Sequence, residues 1–104
     1  MTRGDVWWAK LPPPMGRRPV VLVSRKSAYA VRDSVTVAPV TSTIHGIPVE
    51  VPLGPQEGLP KACVVNLDSV LTISKEMLER PVVSLPSHKM VEVDRALRFA
   101  LGLG

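Results

Sequence analysis

The residue types in this chain that could do chemistry are cations and hydroxyls, and they gather in two short stretches. The first is the basic turn Met15-Gly16-Arg17-Arg18, which feeds a β-branched run; the second is Thr41-Ser42, at the end of an alternating one. A guanidinium grips phosphoryl oxygens with a planar fork of N–H donors, and a hydroxyl can orient the same phosphate. Other standard sites lack their local signatures. There is no GxGxxG after a strand, no GxxxxGK[ST] and no GxSxG, so dinucleotide, nucleoside-triphosphate and serine-hydrolase sites are not expected. His45 and His88 are far apart, without an HExxH arrangement or paired cysteines, so no metal and no other cofactor is expected. RNA offers a reaction that cations and hydroxyls beside a groove could support. Its own 2′-hydroxyl attacks the adjacent phosphorus once the backbone is positioned and the gathering charge is stabilised.

The whole chain bounds this reading. Its 104 residues fit one domain spanning 1–104, with no room for a separate cofactor-binding unit. So small a core gains from pairing with a second copy. Thirteen Lys and Arg against nine Asp and Glu leave a net charge of +4, which favours a polyanionic partner. The hydrophobic fraction of 45% argues for a folded chain with apolar surface to spare. The lone Cys63 cannot close an internal disulfide, the start Met1-Thr2-Arg3-Gly4-Asp5 is polar, and no apolar run is long enough to span a bilayer. A cytoplasmic protein without membrane contact is expected.

The elements that must carry the two stretches are mainly β. Asp5 to Leu11 reads as a first strand entering at a sheet edge, stopped by three prolines. Pro19 to Ser24 reads as a buried core strand. Ser34 to Val40 alternates with period two, Val35 and Val37 on one face and Ser34, Thr36 and Ala38 on the other. Pro48 to Leu53, Ala62 to Asn66 and Val70 to Ile73 continue the β pattern between Pro/Gly-rich turns, and Ser74 to Leu78 reads as one capped helical turn. After Pro86-Ser87 the period changes. Met90, Val93, Leu97, Ala100 and Leu101 line one face of a terminal helix that Gly102 ends. Short strands with one closing helix predict a small antiparallel barrel or strongly curled sheet.

Three runs resemble a known family when taken in order: Arg3-Gly4-Asp5-Val6-Trp7-Trp8, then Gly16-Arg17-Arg18-Pro19-Val20-Val21-Leu22-Val23-Ser24, then Val37-Ala38-Pro39-Val40-Thr41-Ser42. Together they look like the MazF/PemK-like toxins, and a weaker match runs through Asn66 to Ile73 into the terminal helix. The resemblance implies a mainly β, SH3-like antiparallel barrel of the CcdB/MazF type, with a C-terminal helix and one or two short helices. It implies a homodimer and a metal-independent, sequence-specific endoribonuclease that cuts single-stranded mRNA. It also implies an acidic partner, a MazE-like antitoxin. Carried over by motif, Arg18 of the RPV segment and Thr41 of the PVTS segment match the family's catalytic pair. A guanidinium stays charged through the working pH range, so Arg18 is expected to stabilise phosphoryl charge more than to donate a proton.

Around that pair, Asp68 aligns with an acidic position where a carboxylate could accept the 2′-hydroxyl proton or a base amino group. Ser42 and Ser69 are expected to contact nucleotide, and Arg17 and Lys26 to track backbone phosphates. Trp7 and Trp8 are neighbours on a strand and should face opposite ways, one to the core and one to an interface. Two departures from the family pattern stand out: the loop before Arg17 is short and lacks its Gly-Ser-Glu element, and Leu71 replaces an arginine. Two other readings of the same barrel are a CcdB-like poison that binds DNA gyrase without catalysis, disfavoured because Leu101-Gly102-Leu103-Gly104 lacks that group's terminal tryptophan, and an RNA-binding barrel that has lost cleavage.

Overall fold

The computed structural model describes residues 1–104. Seven strands form one sheet: β1 (Asp5–Lys10), β2 (Arg17–Leu22), β3 (Ser34–Thr41), β4 (Glu50–Leu53), β5 (Cys63–Asn66), β6 (Leu71–Ser74) and β7 (Leu78–Ser84). Two helices, α1 (Ala28–Val31) and α2 (Ser87–Leu101), and three 3-10 turns complete the chain. The order is β4-β5-β3-β2-β1-β7, antiparallel throughout, with β6 paired to the first half of β3. The eight-residue β3 is the spine, because it bonds β2 on one side and both β6 and β5 on the other. The sheet is therefore strongly curled. Its ends β4 and β7 are not paired with each other, so the barrel stays open along that seam.

Strand alternation explains why the sheet curls around two apolar clusters rather than one. Val20 and Leu22 of β2 and Val35 and Val37 of β3 point into a cluster with Ala9, Leu11 and Ile73. The intervening Val21, Ala38 and Val40 point the other way, into a larger cluster with Val51, Val65 and Leu67. There α2 lays down Val93 and Ala96, with Met90, Leu97 and Ala100 packed alongside. A fully buried Val or Leu contributes roughly 1.5–3 kcal/mol, so a β2 buried on both faces anchors the fold. The expected helical face holds, except that Leu101 is 57% exposed in the last turn before the Gly102 cap.

Two local expectations are corrected, one strand is added and one capped turn is refined. β1 does not lie at an edge, because β7 covers it through pairs such as Trp7 with Pro81 and Trp8 with Arg80. β7 itself is absent from the sequence reading, and the reason is physical: Glu79, Arg80 and Pro81 suit only an edge strand, whose outer N–H groups need no partner in the ladder. β2 starts at Arg17, so the two arginines sit in a strand opposite Lys10 and Ala9 rather than in a turn. The single turn expected over Ser74 to Leu78 is a 3-10 turn at Lys75–Met77, with the Ser74 hydroxyl accepting from the Glu76 N–H.

Candidate functional site

Arg18 owes its posture to its neighbours in sequence. The following Pro19 favours extended backbone, which β2 provides, and the pairing of Ala9 with Arg18 sets its register. Its side chain is half-buried, and Nε donates to the Met15 carbonyl at 2.9 Å. That bond anchors the guanidinium at its base. The two terminal nitrogens make no hydrogen bond within the chain, and no carboxylate lies within ion-pair distance. Thr41 is the last residue of β3, held opposite Val64 of β5. Its Oγ1 accepts from the Thr43 N–H at 3.1 Å, which shapes the turn and leaves the O–H free to donate outward.

Arg18 and Thr41 line the same cleft, of about 290 Å³, at the end of the curled sheet. Arg17 and Ser42 line it too, so four residues singled out in the sequence converge from the start of β2 and from the end of β3 with the bend that follows it. Arg17 is already engaged: Nε lies 2.6 Å from Glu79 Oε1, and the guanidinium stacks 4.4 Å from the centre of the Trp8 ring, which Arg80 approaches from 5.8 Å. Both partners of the ion pair are well exposed, so it contributes at most about 1 kcal/mol and can be exchanged for a phosphate. Of the adjacent tryptophans, Trp8 lines the cleft while Trp7 packs against the smaller cluster.

The remaining sequence candidates lie outside this cleft. Cys63 lines it, but β5 then carries the chain away at about 3.3 Å per residue, so Asp68 and Ser69 fall in the turn beyond its far end. There the Asp68 N–H donates to Asn66 Oδ1 at 2.9 Å and its carboxylate is exposed. Lys26 is exposed in the connection between β2 and α1. His45, in the loop after Thr41, is exposed as well.

Residues that sequence reasoning missed come from two loops. The segment between β4 and β5 folds back through Glu57 Oε1, which accepts from the Gly54 N–H at 2.7 Å, and through Gly58 at φ +94°, where a Cβ would come within 2.5 Å of Val83. This puts Leu59, Pro60 and Lys61 on the cleft wall. The loop after Thr41 is held by Glu50, a buried carboxylate whose Oε1 accepts from the His45 and Gly46 N–H groups at 2.9 Å each. The only prior sign of either was a lone Glu or Lys inside a Pro/Gly-rich segment. Charge in the cleft is one-sided: Arg17, Arg18 and Lys61 line it and no carboxylate does. Burial, with Glu57 adding to it and Lys61 opposing, pushes the Cys63 thiol up, so it remains a neutral wall group, weakly bonded to the Leu53 carbonyl. Guanidinium, ammonium and hydroxyl donors with no carboxylate among them have the chemistry to bind anionic oxygens.

The family model for the PemK-like, MazF-like toxin of type II toxin-antitoxin systems matches residues 2–101. The chain belongs to this family. Among similar proteins of the MazF/PemK group, the probable endoribonuclease MazF5 of Mycobacterium tuberculosis is 39% identical over 100 residues, covering 95% of this chain and 91% of that protein. The Mycobacterium tuberculosis toxin MazF-mt6 superposes with a TM-score of 0.89 at 30% identity, over 96% of this chain and 98% of that one. A mycobacterial endoribonuclease in complex with its cognate antitoxin superposes with a TM-score of 0.88 at 28% identity, over 100% and 97%. The MazF-type architecture expected from the sequence is thus the one observed, and no helix is long and apolar enough to cross a membrane.

Proposed function

We propose that the cleft around Arg18 and Thr41 is where this chain, an endoribonuclease toxin of the type II toxin–antitoxin class, grips single-stranded RNA and cuts it. The observation that carries the site assignment is the meeting of an unpaired guanidinium from β2 and a free hydroxyl from β3 in one cationic cleft. The terminal nitrogens of Arg18 hold two oxygens of the scissile phosphate, and the Thr41 O–H donates to one of them. The ribose 2′-oxygen attacks phosphorus, the bond to the 5′-oxygen breaks, and the proton lost by the 2′-hydroxyl is balanced by one gained at the leaving oxygen. The products carry 2′,3′-cyclic phosphate and 5′-hydroxyl ends. The nucleophile belongs to the substrate and the chain's own cations meet the developing charge, which supports a metal-independent reaction.

The chain acts as one unit over residues 1–104, as a cytoplasmic homodimer. Exposed Val91, Phe99, Leu101 and Leu103 on and after α2, with Ile44 and Ile47 in the loop after Thr41, supply apolar surface for the second copy. Ser42 belongs to the cleft, while Lys26, Asp68 and Ser69 serve RNA extending beyond it. An acidic antitoxin segment would bind the same cationic cleft and exclude substrate. The test is cleavage of a long natural RNA in excess EDTA, with sequencing and end analysis of the fragments. Cutting that appears only on adding divalent metal, or that persists in Arg18→Ala, refutes the assignment.

A further inference from the structure

Lys61 is the one cleft-lining cation that neither the catalytic pair nor the internal contacts of the chain absorb. Its side chain is exposed and makes no hydrogen bond or ion pair, whereas Arg17 is held by Glu79, Arg3 by Asp94 and Lys89 by Glu92. Its backbone is nevertheless firmly placed. Leu59, two residues before, is 4% exposed in the larger cluster and donates its N–H to the Gly54 carbonyl; Cys63, two residues after, is 6% exposed at the start of β5. An unpartnered ammonium on a fixed base, lining a cationic cleft, suits a phosphate better than a structural partner.

The sheet topology says which phosphate. β3 lies between β2, which carries Arg18, and β5, which the Lys61 bend leads into, so the two cations reach the cleft from opposite sides of Thr41. Lys61 lies in the bend before β5, three residues ahead of Val64, the partner of Thr41, so its backbone stands off from that of Arg18 by two strand spacings of about 4.8 Å across and about three residues of roughly 3.3 Å along, wider than a single phosphate group. On the assignment of Arg18 and Thr41 to the scissile phosphate, on which this rests, we infer that Lys61 holds the adjacent phosphate of the RNA backbone and so sets the register of the strand across the cleft. It is a substrate-binding residue that reads no base.

Steady-state cleavage of an RNA oligonucleotide containing one cut site tests this, using the parent, Lys61→Ala and Lys61→Arg across a range of salt concentrations. For Lys61→Ala, KM rises about fivefold with kcat within about twofold, the effect of one exposed charge contact. The slope of log affinity against log salt falls by about 0.7, the share of one phosphate contact on a single strand. Lys61→Arg restores both. A neutral methylphosphonate linkage flanking the cut on one side costs the parent the same factor and costs Lys61→Ala nothing further, because the two changes remove one contact. An unchanged KM and salt slope, a loss confined to kcat, or full additivity with the neutral linkage on both sides overturns the inference. A parent protein that does not cut at all, or a cutting Arg18→Ala, instead overturns the site assignment beneath it.

Discussion

Arg18→Lys separates the fork of the guanidinium from its charge. Lysine keeps the positive charge but cannot donate from a rigid Nε to the Met15 carbonyl while offering two further nitrogens to phosphate. Loss of the 2.9 Å Nε bond, which is partly exposed, costs about 1 kcal/mol of stability, a fall of roughly 4–8 °C in Tm for a domain of this size. Loss of one of two charge-assisted donors to the transition state costs about 2.7 kcal/mol, or about 100-fold in rate. Arg18→Ala removes both donors and the charge, and should cost about 1,000-fold or more. Single-turnover cleavage of end-labelled RNA in EDTA gives the rates, and thermal melts followed by circular dichroism give the stabilities. The reasoning fails if Arg18→Lys cuts within about threefold of the parent, since charge alone would then suffice, or if the rate falls only as far as the unfolded fraction rises.

Thr41→Val keeps the shape of the side chain but removes the donor to phosphate and the acceptor of the Thr43 N–H, so cleavage should fall about 100-fold while stability changes by under about 1 kcal/mol; Thr41→Ser should retain most activity. Glu79→Ala releases Arg17 from its 2.6 Å ion pair, so RNA affinity measured by fluorescence anisotropy should rise about two- to threefold, and weaker binding would show that Glu79 instead poses Arg17 for substrate. The Cys63 thiol, raised from its ordinary value of 9.0 chiefly by burial, holds its proton more tightly folded than unfolded. Its contribution to stability is therefore complete below the unfolded thiol's pKa and is lost as pH rises through the higher folded value. Alkylation by iodoacetamide at pH 8 should be at least about tenfold slower in the folded protein than in urea, and equal rates would contradict the burial of that wall of the cleft.

What the sequence determined by itself is whatever depends on neighbours a few residues apart. The β-branched run of β2, the period-two alternation of β3 and the apolar face of α2 each follow from steric and solvation preferences that act locally, and all three stand in the structure. Family motifs added the pairing of Arg18 with Thr41 as an expectation. β7 escaped notice because an edge strand needs little apolar pattern, its ladder being completed by β1, more than sixty residues earlier in the chain. Likewise Lys61 enters the cleft only because Glu57 and Gly58 fold the β4–β5 loop back and because β5 pairs with β3 at Thr41. Asp68 and Ser69 leave it because β5 runs the other way. Tertiary structure alone decided which charges share a space, since strand pairing joins residues distant in the chain and no local preference encodes which cation will face which hydroxyl.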